Sequence, residues 1–321
     1  SAMVTRHVTC ENHAECRNAF GFGWECGSEG YCDELTPHDR CTQTYPEDLF
    51  TRKEAYRDYT VFGTLMNHND SKPYVEAAEL TAFLVSDDLT VGSFAMIHCR
   101  TEEDLALDGL VGAEAIQSPA IWLADNVGIP GLVGPDFSST TVTAFEVLDA
   151  YDVFMMSPSA TSEELMTIDG EEKTDENPGQ FWRTAPPDSL QAKVIAQDVS
   201  LRDVSNVAVI HSNGSYGNGL ANSFRANFGG TVLLRAFDSD GERDDAIFEV
   251  GNMEEIEEVV FIAPEVTDNV ALLTTASNNV SYEKKGLFLT DGGAQQLLLD
   301  LTTEFTDVYS RVRGTRPASP S

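Results

Sequence analysis

Residues 133–165 read VGPDFSSTTVTAFEVLDAYDVFMMSPSATSEEL, and the alternation within this stretch sets the fold class. A short apolar strand, Gly131–Val133, runs into a Gly-Pro turn and then into Ser138, Ser139, Thr140 and Thr141. A helical period follows, with Val142, Phe145, Val147, Leu148 and Tyr151 expected on its buried stripe. A second apolar strand over 153–156 ends in Ser157-Pro158-Ser159-Ala160-Thr161, before what reads as another helix start. Two strands thus each end in a hydroxyl-rich turn that opens a helix.

If the two strands are parallel neighbours, both turns lie at the carboxyl edge of the sheet, where open α/β folds bind ligands. Helix N-termini present unpaired N–H groups and a positive dipole end, which suits a carboxylate. Serine and threonine add donors without adding charge. Ser138, Ser139, Ser159, Ala160 and Thr161 are therefore the ligand-binding candidates of these turns. The competing explanation is ordinary N-capping, the usual task of Ser and Thr at helix starts.

Working outward, the same alternation continues on both sides. Thr60–Met66 and residues 92–99 read as strands. Between them residues 73–86 form a helix with Tyr74, Ala77, Ala78, Thr81, Leu84 and Val85 inward. Thr101, followed by Glu102, Glu103 and Asp104, reads as the cap of a long helix through Ile116, with a short helical piece over 121–126. After an acidic loop at 169–179, a helix is expected over 189–202. Strands then fall at 206–211, Thr231–Phe237, 259–263 and 286–290, with helices at 216–228, 244–253, 268–277 and 294–301. Apolar strands alternating with helices imply parallel sheets covered on both faces.

Residues 1–45 differ. They hold Cys10, Cys16, Cys26, Cys32 and Cys41 among Gly, Asn, Glu and aromatic residues, too few apolar groups for a core. Cys99 is the sixth cysteine. No CxxC pair with matching histidines is present, so disulfides in an oxidising compartment are expected and a metal is not. The unit resembles a truncated EGF-type module; six cysteines allow fifteen pairings, of which Cys10–Cys26, Cys16–Cys32 and Cys41–Cys99 is preferred, the last stapling the module to the main body. Ser1-Ala2-Met3 reads as an expression-tag remnant, so a signal peptide or lipid-anchor cysteine would have been removed ahead of it.

Composition narrows the partners. Asp and Glu number 53 against 20 Lys and Arg, a formal charge of −33, which repels nucleic acid and anionic lipid. No apolar run approaches the ~18–20 residues that span a bilayer. Neither G-x-S-x-G nor HExxH occurs, and no Gly-rich phosphate loop follows the first strand. Ser138 with His211 as base would lack an acid partner, and His98 reads as a buried strand residue, so catalysis is not expected.

Four runs carry a resemblance. GPDFSSTT (134–141), SPSATSEEL (157–165), FWRTAPPDSLQAKVIA (181–196) and SYGNGLANSF (215–224) are similar, in order, to signatures of type I periplasmic binding proteins. The likeness is above all to the leucine/isoleucine/valine-type solute-binding proteins of ABC importers, and it covers residues 58–316. It implies two doubly wound parallel-sheet lobes behind the disulfide-rich module: 1–45 as module, 46–181 as lobe 1, and 182–321 as lobe 2 with the start of a return to lobe 1, the rest of which is absent. It further implies a monomer without cofactor, periplasmic or at the cell surface with a lipid anchor as one means of attachment, that closes on a small amino-acid-like ligand and presents it to a membrane permease. Ser138, Ser159 and Thr161 match the lobe 1 turns that hold the ligand's carboxylate and ammonium, Tyr216 an aromatic of lobe 2, and Asp291 an ammonium-binding acid. Glu265 stands where relatives often carry an aromatic, and supplies negative charge instead. The alternatives to transport are a sensing or protein-contact receptor on the same fold, and a hydrolase built on Ser138.

Overall fold

The computed structural model describes residues 8–68, 72–86, 93–170 and 173–316. Ser1-Ala2-Met3, Gly92 at the expected start of the second strand, Glu171 and Glu172 of the acidic loop, and Pro317 lie outside these. The chain divides into two compact units, Ser1–Ala160 with Thr167–Thr184, and Thr161–Met166 with Ala185–Ser321.

The first unit opens with helix α1 (His13–Phe20), whose Asn12 side chain caps it by accepting from Glu15 N, and with the antiparallel pair β1 (Trp24–Cys26) and β2 (Cys32–Glu34). Cys10–Cys26, Cys16–Cys32 and Cys41–Cys99 are the disulfides, as expected. Cys10, Cys16 and Cys32 are themselves the module's buried cluster, so crosslinks replace a core. The chain next forms β3 (Gln43–Tyr45), β4 (Thr60–Met66), α2 (Lys72–Ser86), β5 (Phe94–Arg100), α3 (Ala113–Trp122), β6 (Gly131–Val133), α4 (Ser138–Leu148), β7 (Phe154–Ser157) and β8 (Phe181–Arg183). Their sheet runs β3-β5-β4-β6-β7-β8, parallel except for β3, which is antiparallel to β5.

Several expectations change here. Residues 1–45 are not set apart, because β3 joins the sheet of the first unit and Arg40 reaches into it. Arg40 is 1% exposed. It donates from Nε and Nη2 to the Asp108 carboxylate at 2.6 and 2.8 Å, and to the carbonyls of Glu102 and Leu110. That capture, with Gly109 and Gly112 at φ of 75° and 55°, holds residues 101–112 as turns, so the expected helix from Thr101 begins only at Ala113. In α4 the buried residues are Ser138, Thr141, Ala144, Phe145 and Leu148, while Val142, Val147 and Tyr151 are half-buried. In α2 the buried positions are Val75 and Ala82, one step from the expected stripe, and Tyr74 and Leu84 are exposed.

The second unit contains α5 (Asp188–Leu201), β9 (Asn206–Ser212), α6 (Ser215–Asn227), β10 (Thr231–Phe237), α7 (Asp240–Gly251), β11 (Glu258–Ile262), α8 (Val266–Asn278), β12 (Gly286–Leu289), α9 (Gln296–Leu301), α10 (Thr306–Tyr309) and β13 (Val312–Gly314). All five strands are parallel, in the order β10-β9-β11-β12-β13. The two-residue period of each strand feeds two cores. Ala208, Ile210, Val259 and Phe261 face one cluster with Ile247 and Leu272, and Val207, Val209, Val260 and Ile262 face the other with Ile195 and Phe224. Residues 312–314, read as the start of a return to the first lobe, are an edge strand of this sheet paired with β12. Residues 181–183, placed at a lobe boundary, are likewise an edge strand of the first sheet.

Candidate functional site

Both sheets are doubly wound with the first strand beside the third, so each has a switch point: between β4 and β6 in the first unit, and between β9 and β11 in the second. Ligands of open α/β sheets bind outside the carboxyl ends at such points. The candidate residues follow those ends.

In the first unit β6 turns at Gly134, whose φ of +112° and closeness to Leu65 O (2.4 Å from where a Cβ would sit) require glycine. The Asp136 carboxylate, 2% exposed, accepts from Asn67 N at 3.1 Å and ties the β4 and β6 turns together. Ser138 is not the N-cap. Phe137 is, and it offers no capping side chain. Ser138 is the first helical residue and is buried, while Ser139 is exposed. Ser159 Oγ donates to Asp136 O at 2.7 Å, which brings the two hydroxyl-rich turns together. The same bond commits the Ser159 proton, leaving its oxygen as an acceptor. Ser157 Oγ serves Pro135 O in the same way, and Thr140 and Thr141 both donate to Phe137 O. The second turn opens only a four-residue 3-10 segment, Glu163–Met166, rather than a full helix. Thr161 does not stay with Ser159 and Ala160. It belongs to the second unit, where Asp188 N donates to its carbonyl at 2.9 Å.

In the second unit, Gly217 lets α6 start against β9, since a Cβ there would meet Ser212 O at 1.9 Å. Tyr216, one residue earlier, bonds through its hydroxyl to Asp291 Oδ1 and Thr290 Oγ1, both at 2.7 Å. A carboxylate only accepts, so Tyr216 donates to Asp291 and Thr290 donates to Tyr216. Burial, then the charges of Asp291 and Asp188, push the tyrosine pKa well above its usual value, so it remains a donor throughout the neutral range. Gln191 Nε2 adds a second donor to Asp291 Oδ1 at 2.8 Å and also reaches Thr315 Oγ1. Both bonds fall on Oδ1; among the described residues Oδ2 takes none. Glu265 is the N-cap of α8 without a side-chain cap bond, and its carbonyl accepts from Asn269. Asp136, Gln191 and Thr290 were not singled out in the sequence. Gln191 meets Asp291 across 100 positions, a separation at which no local pattern speaks.

His98 and His211 are buried residues of β5 and β9. His98 is fully buried, with Thr64 Oγ1 2.9 Å from Nδ1 and the Glu79 carboxylate 3.2 Å from Nε2. Burial, then the charge of His68, lowers its pKa to about 4. His211 is 5% exposed, and burial lowers its pKa as well.

Known proteins agree with this architecture. Residues 91–321 match the profile of the receptor family ligand binding region. The chain is 38% identical over 123 residues to Leu/Ile/Val-binding protein homolog 3 of Brucella melitensis, covering 36% of this chain and 31% of that one. It is 33% identical over 122 residues to Leu/Ile/Val-binding protein BraC3 of Rhizobium johnstonii, with the same coverage. It thus spans about a third of the length of these curated relatives. Among solved structures, the branched-chain amino acid transporter substrate binding protein LivJ of Streptococcus pneumoniae, in complex with isoleucine, aligns at TM-score 0.60 and 18% identity, covering 77% of this chain and 69% of that one. The leucine binding protein LivK of Thermotoga maritima aligns at TM-score 0.61 and 14% identity, covering 77% and 67%.

Proposed function

The chain belongs to the receptor family ligand binding region and has the type I periplasmic binding protein fold, and from that premise we propose that it is an extracytoplasmic solute-binding protein for a small amino-acid-like ligand. The observation that carries this reading is the Asp291 carboxylate at the carboxyl edge of the second sheet. Tyr216 and Gln191 orient it through one oxygen, and the other is left to accept from an ammonium group. A permanently protonated tyrosine as one of the two holders keeps that geometry across the neutral range. Thr161 and Glu265 belong to the same unit as Asp291, while Ser138, Ser139, Ser159 and Ala160 lie on the turns after β6 and β7 of the first unit.

The relatives' names speak of binding and that of one structural neighbour of a transporter's substrate binding protein, so a membrane permease is the proposed partner and binding without turnover the proposed activity. Three disulfides favour an oxidising compartment outside the cytoplasm. No helix among the described residues is long and apolar enough to cross a membrane.

A thermal-shift and calorimetric screen of the amino acids, small amides and short carboxylates tests the reading. An amino acid should raise Tm, Asp291→Asn should weaken its binding at least about tenfold, and Ser138→Ala with Thr161→Ala should remove the shift while leaving the ligand-free Tm in place. Unaltered binding in all these variants, or no ligand in the screen, would sink it.

A further inference from the structure

Asn-Gly occurs twice in the chain, at 213–214 and at 218–219, and both asparagines are exposed. The two pairs differ in backbone. Asn218 and Gly219 lie inside α6, where the Gly219 N–H belongs to the i to i−4 ladder and the helix holds it away from the preceding side chain. Asn213 and Gly214 form the turn between β9 and α6, and Gly214 is the N-cap of that helix, so its N–H lies outside the ladder. Its φ of +109° fixes glycine at this position, and a Cβ there would meet nothing within 4 Å. The turn thus demands, next to an exposed asparagine, the one residue whose own nitrogen no side chain shields. A single bond restrains the amide: Asn213 Nδ2 donates to Asp238 Oδ2 at 2.6 Å, between two exposed groups.

We propose that Asn213 is a site of spontaneous deamidation, a modification that the fold admits at this pair and denies at Asn218. Base removes the Gly214 N–H proton, and the nitrogen attacks Asn213 Cγ. The Cγ–Nδ2 bond breaks, ammonia leaves with a proton, and a cyclic succinimide remains. Water then opens one of the ring's carbonyl–nitrogen bonds. Opening at Cγ gives aspartate, and opening at the main-chain carbonyl gives isoaspartate; no electron is transferred. The chemistry does not depend on what the protein binds. Its consequence is local and electrostatic. Asn213 ties its turn to the end of β10 twice, by its N–H to Phe237 O at 2.9 Å and by its amide to Asp238. Conversion replaces the second tie with two facing carboxylates, which repel, and adds negative charge to the carboxyl edge of the second sheet.

The test ages the full chain at mildly alkaline pH, folded and in denaturant, and locates conversion by peptide mass spectrometry with fragmentation that separates aspartate from isoaspartate. In the folded chain Asn213 should convert at least about tenfold faster than Asn218. In denaturant the two should convert at similar rates, which assigns the difference to the fold. Equal rates in the folded chain, or no conversion at Asn213 there, overturns the proposal. Asn213→Gln keeps the amide donor but closes a ring far more slowly, so conversion at this turn should cease; an undiminished yield would place the reactive residue elsewhere. Asn213→Asp supplies the aged charge directly. It should lower Tm in dilute buffer, with a deficit that shrinks at high salt as the exposed charges are screened. A Tm in dilute buffer equal to that of the unaltered protein overturns the electrostatic consequence.

Discussion

The N-terminal flank of the first unit and the sheet of the second are held by different physics. In the second unit, two apolar clusters sandwich five parallel strands, and the rows Val207/Val209 and Ala208/Ile210 show the two-residue period feeding both. In the flank the buried cluster is three cysteines, and a buried arginine with a disulfide at the next residue fastens it to β5 and the 101–112 turns. Burial of apolar surface is non-directional and tolerates drift. Crosslinks and a desolvated ion pair are directional and break at single atoms. The flank should therefore be the conditional part of the molecule, answering to redox state and pH, and the second sheet the unconditional part.

Reduction is the hardest push on that contrast. By the chain-entropy relation, closing the 58-residue Cys41–Cys99 separation contributes about 4 kcal/mol, and each 16-residue bridge about 3. Hydrogen exchange read by peptide should show protection collapsing over β3 and β5 in reductant, with β9 and β11 unmoved; equal loss in both would break the comparison. Arg40→Ala comes next. It leaves Asp108 without its ion-pair partner in a mostly buried setting and should cost about 3–5 kcal/mol in denaturant titration. A cost below 1 kcal/mol would show the pair to be ornamental.

Acid provides a third test. His98 has a folded pKa of about 4 against 6.5 for the free side chain. Its contribution is complete above pH 6.5, declines as pH falls toward about 4, and is flat below that, a loss of roughly 3 kcal/mol. His98→Asn should flatten the stability profile of β4 and β5 over that window; persistence of the slope would assign it to other groups. The smallest effect belongs to the second unit. Tyr216→Phe removes the bond to the Asp291 carboxylate and the one from Thr290 and should cost about 2 kcal/mol, with a further signature in ligand affinity.

What the sequence disclosed follows from length and separation. The second unit was legible because its long strands are apolar and its connections short, so β9, β10 and β11 fall within a residue of where periodicity puts them. The three-residue strands β3 and β8 are too short to show a period, and only pairing with β5 and β7 makes them strands. Helix α2, KPYVEAAELTAFLVS, has apolar residues around its whole circumference, so periodicity favours no stripe and the buried positions fall one step from the expected ones. The false start at Thr101 had every local mark of a helix cap. What overrode it was Arg40, more than 60 positions away. The site divides the same way: hydroxyl-rich turns announce themselves, whereas the donors that aim Asp291 come from distant elements.

The short β3 has one further consequence. Among the described residues it is the one partner β5 has on that side, and β5 is the apolar run FAMIHCR. A version trimmed to begin after residue 45 would strip that guard and present a bare row of amides and carbonyls to its neighbours in solution. Sticky, self-templating material is the expected harvest, even if the remaining lobes fold correctly.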